Sequence, residues 1–362
     1  MKYNDIAGFK TPDKYIDYKI NRLLSKEATF SNLYKIMFED ANNILFEYSE
    51  GIKIKKVTYG QAKDKVELYS RNITKLFAGY SHNSIIGIYL ENSDKWIEIF
   101  WVILKSGFRP LLLNMRLSDE ILENSIKNLD FAGIIGENCH INATIYSVEN
   151  LEDDSIEDTE NEFGDTVYVM SSGTSNNVKL CAYTIDEFYR IILQSRDIVK
   201  SNKKVKGFYD GNLKLLTFLP FYHIFGLMAV YFWFAFFSRP MVFMKDYSAE
   251  SILTTVKKLE VTHIFAVPMF WHTIEKQVRA QVRQRGQKAE KKFYKGLALS
   301  EKIQNILPGA GQSIARHIMK QVTSELFGYS PVFLISGGGY IKDSALYMFN
   351  AMGYPLHNGY GM

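Results

Sequence analysis

The sequence predicts an α/β protein of two similar layered units with helical excursions. Short apolar runs rich in β-branched residues alternate with amphipathic segments along the first half, and the same alternation resumes in the second half. A chain of 362 residues with 47% apolar and 14% aromatic content is also long enough to bury more than one core.

In the first half, Ile85-Ile86-Gly87-Ile88-Tyr89, Pro110-Leu111-Leu112-Leu113 and Ala132-Gly133-Ile134-Ile135 read as buried parallel strands, because they are apolar without alternation. Between the first two, Trp96, Ile97, Phe100, Trp101 and Leu104 recur on one face of a helix behind a Ser93 cap. Between the second pair, Ser118 followed by Asp119 and Glu120 predicts a capped helix start, with acids placed favourably against the helix dipole. Glu149 to Asp165 then holds nine acidic residues and no basic one, which predicts a solvated connector between folded halves. The expected division is a first subdomain over residues 1–160 and a second over 161–362.

The second half is expected to run through a strand at Val167 to Met170, a helix from about Ile185 and a strand at Lys214 to Phe218. An apolar helix after His223 and strands at Met241 to Met244 and His263 to Val267 follow. A long helical stretch from about Met269 to Leu326, broken near Pro308-Gly309, precedes a last strand at Val332 to Ile335 and a helix from Ser344.

Composition narrows the partners. With 43 basic and 39 acidic residues the charge is nearly balanced, which implies neither nucleic acid nor membrane. The start has no apolar core of signal-peptide length, and Cys139 and Cys181 form neither a disulfide framework nor a metal-ligand spacing, so a cytoplasmic location is expected. The longest apolar run, Ile224 to Phe237, is shorter than the roughly 20 residues of a transmembrane helix. Between Lys276 and Lys295, eight basic residues face one acid, Glu290. This stretch has two readings: a solvated helical excursion, or a patch for anions or for peripheral contact with a membrane.

Three constellations could carry chemistry. After the strand ending at Met170 comes Ser171-Ser172-Gly173-Thr174-Ser175-Asn176-Asn177-Val178-Lys179. Successive backbone N–H groups, hydroxyls and one lysine suit a polyphosphate, yet a hydroxyl-rich run is also an ordinary connection. It is not a Walker loop, since Val178 and Leu180 stand where that pattern needs Gly and Ser or Thr, and it lacks a dinucleotide fingerprint's three glycines. Thr184 and Glu187 form a capping box for the next helix. In Leu219-Pro220-Phe221-Tyr222-His223-Ile224-Phe225-Gly226, His223 is either a satisfied core or capping residue, or a hydrogen-bonding group at the mouth of an apolar pocket. Ser336-Gly337-Gly338-Gly339-Tyr340 and Asn358-Gly359-Tyr360-Gly361-Met362 are either glycine turns or a place for a planar ring against backbone, with Tyr360 closing over its other face.

In order and spacing these stretches resemble the core motifs of the adenylate-forming, or AMP-binding, superfamily. The family's phosphate loop, Ser/Thr-Ser-Gly-Thr-Thr-Gly-x-Pro-Lys-Gly, matches Ser171 to Leu180, with Asn176, Val178 and Leu180 in place of the second Gly, the Pro and the last Gly. Its Pro-x-x-His-x-x-Gly matches Pro220, His223 and Gly226, and its Gly-Gly-Ala and Asn/Gly-Tyr-Gly-Thr-Glu patterns match Gly337 to Gly339 and Asn358 to Gly361. Val57 to Gln61 and Lys105 to Asn114 look like two weaker motifs.

The resemblance implies the large N-terminal domain of such an enzyme, made of two similar layered α/β subdomains, with the C-terminal lid absent. By analogy, Ser171, Ser172, Gly173, Thr174, Ser175 and Lys179 handle ATP phosphates, and Gly337, Gly338, Gly339, Asn358, Gly359, Tyr360 and Gly361 form the adenine site. His223 stands at the acyl pocket, and His223 and Lys179 are the residues implied in catalysis. The implied reaction joins a small-molecule carboxylic acid to AMP with Mg²⁺ present, then passes the acyl group to CoA or to the phosphopantetheine of an acyl carrier protein. Tyr222-His223-Ile224 offers no acid to pair with an α-amine, and the long basic excursion looks more like fatty acyl-CoA synthetases than compact amino-acid adenylation domains. Because the chain stops before the family's metal-binding Glu, ribose-binding Asp and lid lysine, a fragment inactive alone is expected. A degenerate nucleotide-binding protein without turnover, or an amino-acid adenylation domain, is the alternative.

Overall fold

The computed structural model describes residues 9, 11–153, 161–171, 178–201, 206, 212–244, 246–307 and 310–359. They fall into two compact units. The first is Met1–Glu47, Lys56–Gly211 and Pro220–Met241, and the second is Tyr48–Lys55, Asn212–Leu219 and Val242–Met362.

After the helices Pro12–Leu24 and Phe30–Met37, the strands β1 (Ile44–Glu50) and β2 (Lys53–Thr58) lead into the helix Tyr59–Leu76. Thr58 and Gln61 start that helix with a full capping box, each side chain accepting from the other's backbone N–H. Next come β3 (Ile85–Tyr89), β4 (Arg109–Leu112), β5 (Phe131–Gly136), β6 (Ile145–Tyr146), β7 (Thr166–Ser171) and β8 (Lys179–Thr184). They form one sheet in the order β6-β5-β3-β4-β7-β8, parallel throughout except for the β7–β8 hairpin. The predicted strands at 85–89, 110–113 and 132–135 are its centre, and their residues are almost wholly buried, as a parallel sheet covered on both faces requires. Every residue from Trp96 to Leu104 of the helix Asp94–Lys105 is buried, including Glu98. Trp96 stacks on Phe100 at 5.6 Å, and Trp101 Nε1 donates to the Tyr231 hydroxyl at 2.6 Å.

The second unit is built on a seven-stranded sheet ordered β13-β12-β11-β9-β10-β1-β2, with β9 (Leu215–Leu216), β10 (Met241–Phe243), β11 (His263–Ala266), β12 (Phe333–Ser336) and β13 (Leu356–Asn358). The pairs β9–β11, β11–β12 and β12–β13 are parallel. The predicted long helical stretch is four helices among the described residues: Pro268–Gln284, Gln287–Ile306, Gly311–Ile318 and Lys320–Glu325. They pack Trp271, Ile274, Val278, Phe293, Leu297 and Met319 into the same core as β11 and β12.

Several expectations change. The unit division does not fall between 160 and 161, because β7 pairs with β4 and draws β8 and the helix Ile185–Ser201 into the first unit. The acidic stretch is therefore no connector between halves, and its described parts are anchored. Val148 and Leu151 are buried, the Asn72 amide donates to the carbonyls of Leu151 and Asp153, and Arg109 grips Asp165 through two bonds of 2.6 and 2.8 Å. Thr184 and Glu187 cap the helix Ile185–Ser201 by one arm, the carboxylate accepting from the Thr184 N–H and hydroxyl. Ser93 caps its helix as expected, accepting from Trp96 N at 3.2 Å, whereas the Ser118 side chain makes no cap bond. The apolar helix after His223 is a π-helix over Gly226–Phe232 that tightens to α over Trp233–Phe236. The predicted break at Pro308-Gly309 lies outside the described residues. No helix among the described residues is long and apolar enough to cross a membrane.

Candidate active site

In the first unit, the stretch from Ser171 to Lys179 begins and ends on two antiparallel strands rather than between a strand and a helix. Ser171 closes β7 at the carboxyl edge of the sheet, and Lys179 opens the antiparallel β8 directly opposite it. The Ser171 hydroxyl donates to the Lys179 carbonyl at 3.3 Å, which leaves the exposed lysine side chain free of that bond. Ser172, Gly173, Thr174 and Ser175, with Asn176 and Asn177, lie outside the described residues. The antiparallel pair therefore sets Ser171 and Lys179 opposite one another at the carboxyl end of β7, at the strand ends where open α/β sheets take their ligands.

His223 belongs to the same unit. Its backbone N–H donates to the Pro220 carbonyl at 3.1 Å and its carbonyl accepts from Leu227, so a tight turn sets the ring at the start of the π-helix. The preceding residue is fixed as well, since Phe221 N donates to Asn92 Oδ1 at 2.9 Å in the segment that follows β3. The half-buried imidazole lies beside the Tyr222 ring at 5.1 Å, and among the described residues its nitrogens have no hydrogen-bond partner. A satisfied core histidine would have one. Burial first, and then the positive charge of Arg116, push the His223 pKa below its ordinary value, so the ring is neutral near pH 7 with one donor and one acceptor to offer.

Arg116 was not singled out by sequence, since one arginine in a turn has no pattern. It sits in the exposed turn after β4, where Asn114 Oδ1 accepts from its backbone N–H, and its charge acts on both Tyr222 and His223. Glu91 acts on Tyr222 with the opposite sign.

In the second unit, the glycine constellation gathers at the carboxyl ends of three adjacent parallel strands. Gly337 N donates to the Ala266 carbonyl at 3.1 Å and Gly359 N to the Ser336 carbonyl at 2.7 Å, which ties the ends of β11, β12 and β13 together. Gly338 has φ +76°, a left-handed conformation that favours glycine, and Gly339 lies beside the Pro268 ring. At Gly359 a Cβ would come within 2.9 Å of Ile335 Cγ2, so this close approach also needs glycine. Gly338, Gly339, Tyr340 and Asn358 are exposed, while the Ser336 hydroxyl is buried and without a partner among the described residues. Gly338 and Gly339 present bare backbone beside Val267 and Pro268, the kind of surface a planar heterocycle can lie on. Tyr360 and Gly361 lie outside the described residues.

A family model described as AMP-binding enzyme matches residues 41–362. The chain belongs to that family. Among solved structures it is similar to the o-succinylbenzoate coenzyme A synthetase MenE from Bacillus subtilis in complex with AMP, with a TM-score of 0.65 at 15% identity over 91% of this chain and 73% of that one. The MenE structure with ATP and a magnesium ion gives 0.63 at 15% identity, covering 90% of this chain and 59% of that one. The N-terminal subdomain of NpsA from Klebsiella oxytoca gives 0.63 at 9% identity, covering 91% and 73%. The chain thus has the fold of the large N-terminal domain of adenylate-forming enzymes, and it spans little more than half the length of the longer MenE chains. The described residues hold no cluster of three or more His, Cys, Asp or Glu placed for a metal.

Proposed function

We propose that this chain is the nucleotide- and acid-binding part of an enzyme that activates a carboxylic acid with ATP, forming acyl-AMP and pyrophosphate. The observation that carries the reading is the neutral imidazole of His223, without a hydrogen-bond partner among the described residues and under the charge of Arg116, in the unit that also presents Ser171 and Lys179 at a strand end. In the reaction a carboxylate oxygen attacks the α-phosphorus in line, the bond to the bridging oxygen breaks, and pyrophosphate leaves. Lys179, with Ser171 and the intervening Ser172, Gly173, Thr174 and Ser175, neutralises and orients the phosphates. Gly337 to Gly339, Asn358 and Gly359 take the adenine, with Tyr360 and Gly361 completing that site. His223 and Arg116 orient the incoming carboxylate, the first by hydrogen bonding and the second by charge. Mg²⁺ would supply charge neutralisation when bound.

An acid without an amino group is favoured, because the charge that acts on His223 is the positive one of Arg116, and the long basic helical stretch before the last glycine motif favours a fatty acid first. The similar structures are an o-succinylbenzoate coenzyme A synthetase and NpsA bound to an anthranilyl ligand, so aryl acids are the first competitors. Glu91 beside Tyr222 is the observation that favours an amino acid instead. Transfer of the acyl group to CoA or to a carrier phosphopantetheine completes the proposed reaction.

The test is carboxylate-dependent ATP–pyrophosphate exchange by the protein that carries this chain, across fatty, aryl and amino acids. Exchange with fatty acids, reduced by about 100-fold or more in Lys179→Ala, is expected. A folded protein that binds ATP but exchanges with no acid would leave a nucleotide-binding protein without turnover.

A further inference from the structure

The basic stretch has a geometry that the proposed reaction does not use. On the helix Gln287–Ile306, residues Lys288, Lys292, Lys295, Leu299, Lys302 and Ile306 follow one another at steps of four and three, and all are exposed. They form a single stripe of ~27 Å at 1.5 Å per residue. The opposite face, Phe293, Leu297 and Ser300, is buried in the core of the unit. Leu299 is 51% exposed, Ile306 76% and the adjoining Leu307 50%, so the stripe carries large apolar side chains into solvent beside its charges.

The arginines of the region are engaged: Arg279 with Glu275, Arg283 with Glu290 and Arg285 with Glu325. Among the described residues, Lys288, Lys291, Lys292 and Lys295 have no acid partner. Alongside the stripe runs a groove of about 340 Å³ lined by Val282, Phe293, Leu299, Ile318 and Met319, with Lys292 and Lys295 at its rim. Gly296 lets Met319 close the groove floor, since a Cβ there would meet the Met319 sulfur at 2.8 Å.

We propose that this stripe and its groove dock the protein onto the surface of an anionic lipid bilayer. Charge complementarity requires a negative partner, and the form of the patch selects a lipid surface over an acidic protein. The free charges are lysines, mobile point charges that suit a fluid layer of headgroups rather than a fixed set of carboxylates. Leu299 and Ile306 stand in line about two turns apart on the stripe, at a level where they can enter the headgroup boundary while the helix lies flat. The helix remains packed in the core on its other face, so docking needs no refolding and no spanning segment.

Vesicle co-sedimentation tests this directly, using the 362-residue chain with phosphatidylcholine vesicles that contain or lack phosphatidylglycerol as a third of the lipid. Binding to the anionic vesicles alone, weakened by salt, is expected. Lys292→Glu with Lys295→Glu should lower partition by at least about 25-fold, at about fivefold per lysine. Leu299→Asp with Ile306→Asp should also weaken it. These side chains are exposed, and Lys292→Gln with Lys295→Gln gives a milder pair should the reversal disturb folding. Equal binding to neutral vesicles, unchanged binding by the lysine variants, or capture of polyglutamate without capture of vesicles would overturn the proposal, the last in favour of an acidic protein.

Discussion

Glu98 is a carboxylate within the buried run Trp96 to Leu104 of the helix Asp94–Lys105, only 6% exposed. Burial, reinforced by Asp94 and Glu152 and opposed by Lys65 and Lys95, pushes its pKa up to about 8. The folded state therefore keeps a proton that the unfolded chain releases above its ordinary value near 4.5. Stability contributed by this group is intact below that value, falls as the pH rises toward 8, and levels off beyond. Glu98→Gln replaces the group with a neutral isostere, so the variant should gain on the parent by about 1–3 kcal/mol between pH 5 and 8. Thermal unfolding at three pH values measures this, and a gap constant with pH would show that Glu98 is not the titrating group. His223 runs the other way, since its lowered pKa opposes protonation in the folded state and stability attached to it is lost as the pH falls. Its ring, without a partner among the described residues, is legible in sequence only as a choice between core and site, because the partners of a lone histidine are set by residues far away in the chain.

At the scale of elements, two predicted caps give a matched pair. The Ser93 hydroxyl accepts from Trp96 N and starts a helix buried along nearly its whole length, whereas Ser118 starts a half-exposed helix without a side-chain bond. Ser93→Ala should cost about 1 kcal/mol in chemical denaturation, and Ser118→Ala less than about 0.5 kcal/mol. Equal effects would mean that the cap bond is not what separates them. The same contrast explains what the sequence made legible. β3, β4 and β5 are continuous apolar runs because both faces are covered, and apolar runs can be read. β8 cannot, as its residues are exposed or half-exposed along Lys179–Thr184, and it pairs only because Ser171 to Thr166 lies beside it. The strand expected at Lys214 to Phe218 is present as β9 but only two residues long, Leu215–Leu216, paired with β11. The π-helix of Gly226–Phe232 has no signature apart from an apolar run, which any buried helix shares. At the site, the glycines of β12 and β13 were legible because close approach and positive φ restrict the residue type, and Arg116 was not, because only folding brings its charge to His223.

The whole molecule is two units that no single cut separates. The chain passes between them after residues 47, 55, 211, 219 and 241. Each unit is thus assembled from segments distant in sequence, and long-range pairing must precede a complete core in either. A fragment of residues 161–362 would carry β7 and β8 without β4, the strand that β7 pairs with at Leu111 and Leu112. It would also lack β1 and β2 from the edge of the second sheet. The apolar residues Val167, Val169 and Met170, buried in the whole chain, would then face water. Residues 161–362 produced alone should therefore be aggregated or lack a cooperative thermal transition, and residues 1–160 alone should fare no better without the aromatic segment of Pro220–Met241. Co-expression of the two pieces should restore soluble protein, because the paired strands can reassemble across a break in the stretch near residue 160. Independent cooperative melting of either piece would mean that the strand pairing of β4 with β7 is dispensable, and that the two halves of the sequence fold as the two units after all.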